Sequence, residues 1–545
     1  MDLLAPVIGW YMRDADRRLR RAAADPAGVQ RRVLRRLLRR ARRTWFGRQH
    51  GFAAIRDERD FAQAVPIADY AARRETFERV LRGEPDVCWP GRIRLFGRTS
   101  GTTAGDKYIP FTRESRRAHF RAGVGLFALA ERARPGLVGR IRQGKLVWIG
   151  ARASEEAHPH GGRVGYLTGI ASRDMPWWAA RHREPPPEIC GMAHYARRIE
   201  ATARRIVRQD IRAVGGQPNW LLGLFNRVVE LGGLQPEGAL SRLWPNLELL
   251  VYGGVRADPF LPTLRRFFRP DHAVCLRNVY SATETFVAAQ AEDADPGMDL
   301  FTDNGTFFEF VPQSAWGRPD APRLTVGEVE PGVPYGLVVS TCAGLWAYDL
   351  GDVVRFTCVR PPRLQFAGRH GHFISAFGEH VIEEEVARAM AAAAGATDSL
   401  VAAFTVAPLY PDAARRVGAY QVIVEFERPP AGCHAGGDSR RRGLFVAEED
   451  ARLLGSRGTR PLRAFAEAFD RALGDLNTHY VITRQERGLA MPEVVPVPRG
   501  TFDAHLRERG KAMGQSKVPA CANDRRWADE LLQNRKPEAG NRSDG

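Results

Sequence analysis

RTSGTTAGDK, residues 98–107, is the stretch on which the reading of this chain turns. It follows the apolar and basic run RIRLFG (Arg92 to Gly97) and packs threonines, a serine and two glycines into a short loop ending on a lysine. Glycines let backbone N–H groups turn toward one point, and hydroxyls add donors. The terminal lysine brings a mobile point charge, so the loop suits the phosphates of a nucleotide. It is not a Walker loop, which closes on Gly-Lys-Ser/Thr after four residues. Taken alone, it also reads as a polar surface turn.

Working outward, composition sets that lysine apart. Of the 81 basic residues only five are lysine, namely Lys107, Lys145, Lys511, Lys517 and Lys536. Where a coding bias turns generic positive charge into arginine, a retained lysine points to a need for a compact ammonium. At 545 residues the chain exceeds one compact core, so two or more domains are expected. Its seven scattered cysteines contain no CxxC pair, which argues for free thiols in a reducing compartment and against a zinc framework. No apolar run approaches the roughly 18 residues that span a bilayer. The start, MDLLAPVIGWYMRDADRR, shows no basic n-region or small-residue cleavage site. The expected location is therefore cytoplasmic.

A net charge of +18 raises nucleic acid or an anionic membrane as a partner. The most basic region, Arg17 to Arg43, carries apolar residues at helical spacing (Val29, Val33, Leu34, Leu37, Leu38, Ala41). Such an amphipathic helix suits a membrane surface or a phosphate backbone. Without an interleaved aromatic platform it reads instead as a solvated face, with no stable nucleic acid or membrane partner expected.

Along the chain, residues 10–85 read as helices, and a helix is expected from Arg113 to Ala133. A strand, KLVWIG, starts at Lys145, and helical stretches run through 194–232. LELLVYGG (Leu247 to Gly254) and HAVCLRNVYSATET (His272 to Thr285) read as buried strands ending in turns. TFFEFVP, YGLVVST and VVRFTCV read as antiparallel strands. Beyond LQFAGRHGHFIS (Leu364 to Ser375) the pattern becomes a small α+β unit, with a helix from Gly378 to Ala393, two strands, and a helix from Pro461 to Leu476. The expected division is a large N-terminal α/β domain over 1–366, a glycine-punctuated hinge over 367–374, and a smaller α+β domain over 375–545 with a flexible tail from about 530.

Besides the loop, the chain carries Tyr280-Ser-Ala-Thr-Glu284, Tyr348-Asp-Leu-Gly-Asp352, Gly368-Arg369 and Gly514-Gln-Ser-Lys517. With these in place it resembles the adenylate-forming superfamily, and more closely the Gretchen Hagen (auxin-responsive) family of acyl-acid amido synthetases, as a bacterial-type member. RTWFGRQHGF (Arg43 to Phe52), FAQAVPIADY (Phe61 to Tyr70), FFEFVP, GLWAYDLGDVVRF and GTFDAHLRERG extend the resemblance over nearly the whole chain. The resemblance implies an α/β fold: a large N-terminal adenylate-forming domain, with α/β sheets and a β-barrel-like subdomain, plus a small mobile α+β C-terminal domain.

The implied activity is ATP- and Mg²⁺-dependent adenylation of a carboxylic acid, followed by acyl transfer to an amine, an amino acid by class, with release of AMP and pyrophosphate. Transfer to a thiol is the alternative within the superfamily. A membrane- or nucleic-acid-binding role for the basic helix is the alternative outside it. By resemblance, Ser100, Gly101, Thr102, Thr103, Gly105 and Lys107 hold the β- and γ-phosphates, and Glu284 binds Mg²⁺. Tyr280, Ser281, Ala282 and Thr283 line the adenine and α-phosphate, with Gly253 and Gly254 against the adenine. Asp352 takes the ribose hydroxyls, Arg369 occupies the hinge, and Lys517 is the swinging lysine of the C-terminal motif; Lys107 and Lys517 are the catalytic pair. A small acid and an amine are the expected partners of a monomer or weak dimer.

The chain departs from the family pattern at four places. Thr99 replaces a serine in the loop. Asp349 stands where arginine commonly follows the tyrosine, His380 where lysine follows Gly-Glu, and Ala520 where arginine is common. His370, His372 and His380 are candidates for a base acting on the amine. The aromatics of Gly165 to Trp178 suit either an acyl pocket or the core. His158 and His160 read as a surface turn.

Overall fold

Strand runs bounded by glycine and alternating with amphipathic helices give, in the computed structural model, two compact units. One comprises Met1–Gly254 with Phe268–Ala367, the other Val255–Phe267 with Gly368–Gly545. The structure describes residues 5–533 apart from 101–105, 151, 174, 176, 193–194, 255–256, 259, 293–294, 370–372, 375, 378, 380, 411–416, 432, 434–458, 486–488 and 510–517.

The first unit is built on an eleven-stranded sheet. Its parallel limb runs β6 (Arg183–Glu184), β3 (Lys145–Trp148), β7 (Ile211–Gly216), β8 (Leu249–Gly253), β9 (Cys275–Ser281). Every residue of β8 is buried, as a parallel strand covered on both faces requires. Beyond β9 the sheet continues through β10 (Phe286–Gln290), β11 (Met298–Leu300), β15 (Pro362–Arg369), β14 (Tyr348–Val359), β13 (Pro334–Thr341) and β12 (Thr306–Pro312). A separate four-stranded sheet holds β1 (Leu95–Ser100) and β2 (Asp106–Phe111) with β4 (Glu156–Ala157) and β5 (Arg163–Gly165).

Helices cover these sheets. The helix Arg113–Ala133 opens with a reciprocal Thr112/Ser115 capping box and buries Ala122, Leu126 and Leu129 in a cluster with Leu249, Val251 and Ala289 of the sheet. Helix α1 (Ala5–Ala24) buries Ile8, Ala15, Leu19 and Ala22. Helix α2 (Pro26–Ala41) has Asp25 as its N-cap and buries Leu34, Leu37, Leu38 and Ala41. Gln30 of α2 is 1% exposed and fully used: its amide donates to Thr302 O and Thr306 O and accepts from Phe308 N–H, which ties α2 to β12.

The second unit is an α+β layer. β18 (Leu400–Leu409) and β19 (Ala419–Arg428) pair antiparallel, β20 (Glu493–Val497) joins β19 in parallel, and β16 (Phe373–Ile374) with β17 (Val381–Ile382) forms a short extra pair. The helices Glu383–Ala396 and Thr459–Leu476 share one apolar core with β18 and β19, centred on Met390, Val406, Val422 and Phe469. Among the described residues no helix is long and apolar enough to cross a membrane.

Three elements differ from expectation. The 194–232 stretch is two helices, Tyr195–Ile206 and Pro218–Leu231, with β7 between them. β7 (IRAVGG) is buried on both faces and so carries no alternation to betray a strand. The helix expected from Gly378 begins at Glu383, after the short strand β17, and β20 was not anticipated.

Candidate active site

β1 and β2 present the loop. They pair antiparallel up to Ser100↔Asp106 and Thr99↔Lys107, so the chain leaves and re-enters one hairpin across the glycine-rich segment. Gly101, Thr102, Thr103 and Gly105 lie outside the described residues, as does the side chain of Ser100. Lys107 is described: its Nζ lies 5.9 Å from the centroid of the Tyr70 ring. The Tyr70 hydroxyl in turn accepts the Tyr108 N–H at 3.0 Å. Tyr70 closes the FAQAVPIADY segment, so that stretch contributes a wall of the site which no single-residue reasoning singled out.

The Tyr280–Glu284 motif forms the end of β9 and the turn into β10, closed by Ala282 N–H donating to Thr285 O at 2.9 Å. This turn packs directly on the loop hairpin. A Cβ added at Gly97 of β1 would fall 2.4 Å from Thr283 Cγ2 and 2.6 Å from the Phe111 ring. Only glycine allows the approach, and it brings the β1–β2 hairpin and the Glu284 turn together. Glu284 is partly exposed, and its charge helps burial to hold the Tyr348 phenol well above its ordinary range. A half-exposed carboxylate on a hydrogen-bonded turn fits a hard divalent cation that completes its shell with phosphate oxygens and water. Among the described residues no cluster of three or more His, Cys, Asp or Glu could hold a metal unaided.

The third motif lies on β14. The Tyr280 hydroxyl donates to Asp352 Oδ2 at 2.6 Å, and the two side chains are 8% and 5% exposed. In the sheet order, β15, β11 and β10 stand between β14 and β9. Strands spaced about 4.8 Å apart would hold the outer pair nearly 20 Å apart in a flat sheet. The contact therefore records how strongly this limb curls, helped by the brevity of β11 (Met298–Leu300).

Asp349 faces the same region. Its Oδ1 accepts the Gly351 N–H at 2.8 Å and its own N–H donates to Ala68 O at 3.0 Å. Burial pushes its carboxyl up to about 6, reinforced by the Asp352 and Asp69 charges and opposed by the Gly351 N–H and Lys107. The residue standing in a common arginine position is thus an acid beside the loop lysine.

Gly253 and Gly254 both have reasons within the chain itself. A Cβ at Gly253 would meet Val279 O at 2.2 Å, and Gly254 adopts φ +84°, beside the Gln217 side chain. Arg369 is placed at the end of β15, after Gly368 at φ +146°, in the second unit. Lys517, His370, His372 and His380 lie outside the described residues, as do the side chains of Trp177 and Trp178. The rings of His158 and His160 lie 5.4 Å apart and are tilted by 48°, and His158 meets Tyr108 edge to face. A small cavity of about 20 Å³ opens between Trp148, Ile149, Thr168, Cys190 and Arg198. Here the Gly215–Gly216 pair of β7 makes room for Trp148 and Ile149.

Three sequence models of one family match the chain: the GH3 family N-terminal domain over residues 15–210, its central domain over 300–369 and its C-terminal domain over 384–526. The rice (Oryza sativa subsp. japonica) protein named "probable indole-3-acetic acid-amido synthetase GH3.2" is 23% identical, over 91% of this chain and 88% of its own. The Arabidopsis thaliana 4-substituted benzoates-glutamate ligase GH3.12 is 25% identical, over 56% of this chain and 54% of its own. Among solved structures, the acyl acid amido synthetase AtGH3.15 in complex with 2,4-DB superposes with TM-score 0.72 at 18% identity, covering 96% of each chain. A 2-hydroxyisobutyryl-CoA ligase in its postadenylation state superposes with TM-score 0.56 at 14% identity, over 92% of this chain and 90% of its own.

Proposed function

The chain belongs to the GH3 family, and from that premise we propose that it is a ligase joining a small carboxylic acid to an amino acid through an acyl-adenylate. A carboxylate oxygen of the acid attacks the α-phosphorus of ATP and pyrophosphate leaves. The amine nitrogen then attacks the acyl carbon, the bond to AMP breaks, and the amine proton is lost as the amide forms.

This chemistry asks little covalent help from protein; positioning and charge neutralisation supply the catalysis. In our assignment Ser100, Gly101, Thr102, Thr103 and Gly105 cradle the β- and γ-phosphates, with Lys107 neutralising them from β2. Tyr280, Ser281, Ala282 and Thr283 flank the adenine and α-phosphate, and Gly253 and Gly254 border the adenine. Asp352, with one oxygen held by Tyr280, offers the other to the ribose hydroxyls. Glu284 would hold Mg²⁺, which when bound draws off charge from the phosphates. Arg369 is assigned to the hinge, and Lys517, as the lysine of the C-terminal motif, is assigned the role of neutralising charge on the α-phosphate. We place the enzyme in the cytoplasm, in keeping with its seven free thiols.

One observation carries the reading: Gly97 against Thr283 seats the phosphate-loop hairpin on the turn that bears Glu284. The test is carboxylate-dependent ATP–pyrophosphate exchange across aromatic, indolic and fatty acids, with Glu284→Ala and Lys517→Ala as controls. Exchange that needs one acid class and vanishes in both variants supports the assignment; exchange that survives Glu284→Ala overturns the metal role. Product mass with amino acids against coenzyme A separates amide from thioester formation.

A further inference from the structure

Helix α1 carries an outer face that the synthetase chemistry does not use. Val7, Trp10 and Tyr11 are 47%, 52% and 42% exposed, whereas the other large exposed apolar residues are dispersed through the sequence. Steps of three and four along the helix put positions 7, 10, 11, 14, 17 and 21 on one stripe. Its first turns are apolar and aromatic, and it ends in Arg17 and Arg21, both exposed. Asp14 within the stripe pairs with Arg17 at 3.9 Å.

The helix is not held loosely. Its opposite face is buried through Ile8, Ala15, Leu19 and Ala22. Arg18 bonds Asp303 and Asp16 bonds Arg132 on neighbouring elements. The outward stripe is therefore presented by a helix fixed to the domain. Beyond it, α2 exposes further arginines, of which Arg31, Arg35, Arg36 and Arg39 form no ion pair among the described residues.

We propose that α1 seats the protein on an anionic lipid surface, with Val7, Trp10 and Tyr11 entering the headgroup layer and Arg17 and Arg21 meeting lipid phosphates. Tryptophan and tyrosine combine an apolar ring with a polar edge and favour that layer. The arginines of α2 add to the local positive field. A nucleic-acid duplex would engage the arginines but leave the three apolar side chains in water, so the aromatic half of the stripe favours lipid. Sequence patterning by itself reads Arg17 to Arg43 as a solvated basic face; the exposed Val7, Trp10 and Tyr11 beside it add the apolar half that a lipid surface needs.

The test is co-sedimentation of the full-length protein with vesicles of phosphatidylcholine alone or with a minority of phosphatidylglycerol. Binding is expected only to the anionic vesicles and weakens as salt rises. Trp10→Ala with Tyr11→Ala, and separately Arg17→Gln with Arg21→Gln, each lower the partition by about tenfold or more. The melting temperature is recorded for both variants and partition is compared where each is folded, because Trp10 and Tyr11 are only 52% and 42% exposed. No binding to anionic vesicles overturns the proposal, as does binding that the aromatic variant leaves unchanged. So does a dimer in sedimentation that Trp10→Ala with Tyr11→Ala dissolves, which assigns the face to a second copy. Duplex DNA held more tightly than anionic vesicles, and insensitive to the aromatic variant, overturns it in favour of nucleic acid.

Discussion

Tyr280, at the end of β9, donates its hydroxyl to Asp352 Oδ2 of β14 at 2.6 Å, across a sheet that has three strands between them. A buried carboxylate that loses its donor keeps its desolvation cost. Tyr280→Phe is expected to destabilise the fold by about 1–2 kcal/mol, read by urea denaturation. With Asp352 in its proposed place at the ribose hydroxyls, Asp352→Ala is expected to raise the KM for ATP about tenfold or more in pyrophosphate exchange through loss of a charged acceptor. Tyr280→Phe should raise it less, since Asp352 remains.

Gly97 has no room for a side chain. Gly97→Ala drives a methyl into Thr283 and Phe111, and overpacking of this kind costs about 1–3 kcal/mol. Replacing Thr283 by serine removes the methyl at 2.4 Å and should recover part of the loss in both stability and ATP KM. Additive effects in this double-mutant cycle would show that the hairpin and the Glu284 turn are not coupled.

Asp349 gives the apo protein a pH dependence with a definite sign. Its carboxyl sits at about 6 in the fold, against an ordinary 3.8. The native state therefore holds the proton longer than the unfolded chain. The contribution to stability is complete below 3.8 and is lost as pH rises through about 6. Asp349→Asn should melt higher than wild type at pH 8, by about 1–3 kcal/mol, with little difference at pH 4. A variant that melts lower at pH 8 would mean that the Asp349 charge is needed to hold Lys107.

Glu309 and Arg323 form a bidentate pair at 2.8 Å, with side chains 3% and 8% exposed. Arg323 also donates to Ala62 O and Val65 O, holding the chain just before Ala68–Tyr70 against β12. Removing one partner of a buried pair leaves an uncompensated charge. Glu309→Ala is expected to cost about 3–5 kcal/mol, and thermal unfolding checks it. Because the segment leading to Tyr70 loosens, ATP KM should rise with it.

The large helices and the longer buried strands could be read from the chain because their signals are local; short strands such as β4, β6 and β11 could not. Thr112 with Ser115 caps the helix that runs Arg113–Ala133 as expected, and LLVYG is a continuous apolar run that a doubly covered strand demands. β7 lies inside the 194–232 stretch that reads as helical, because its burial on both faces erases the alternation that marks a strand. Short β20 gains its identity only from pairing with β19.

What the sequence by itself determined was the inventory: a glycine- and hydroxyl-rich loop ending on Lys107, a Tyr-to-Glu turn, a Tyr-to-Asp motif and a C-terminal lysine, in the order of one family. Residue types fix which charges and donors exist, and their order along the chain is enough to recognise them. Tertiary structure alone decided their company. The curl of the sheet sets Tyr280 on Asp352, the missing Cβ of Gly97 admits Thr283, and Asp349 acquires its raised affinity for a proton from Asp352, Asp69 and burial. These are distances between residues far apart in the chain, and they arise only when packing closes the intervening strands.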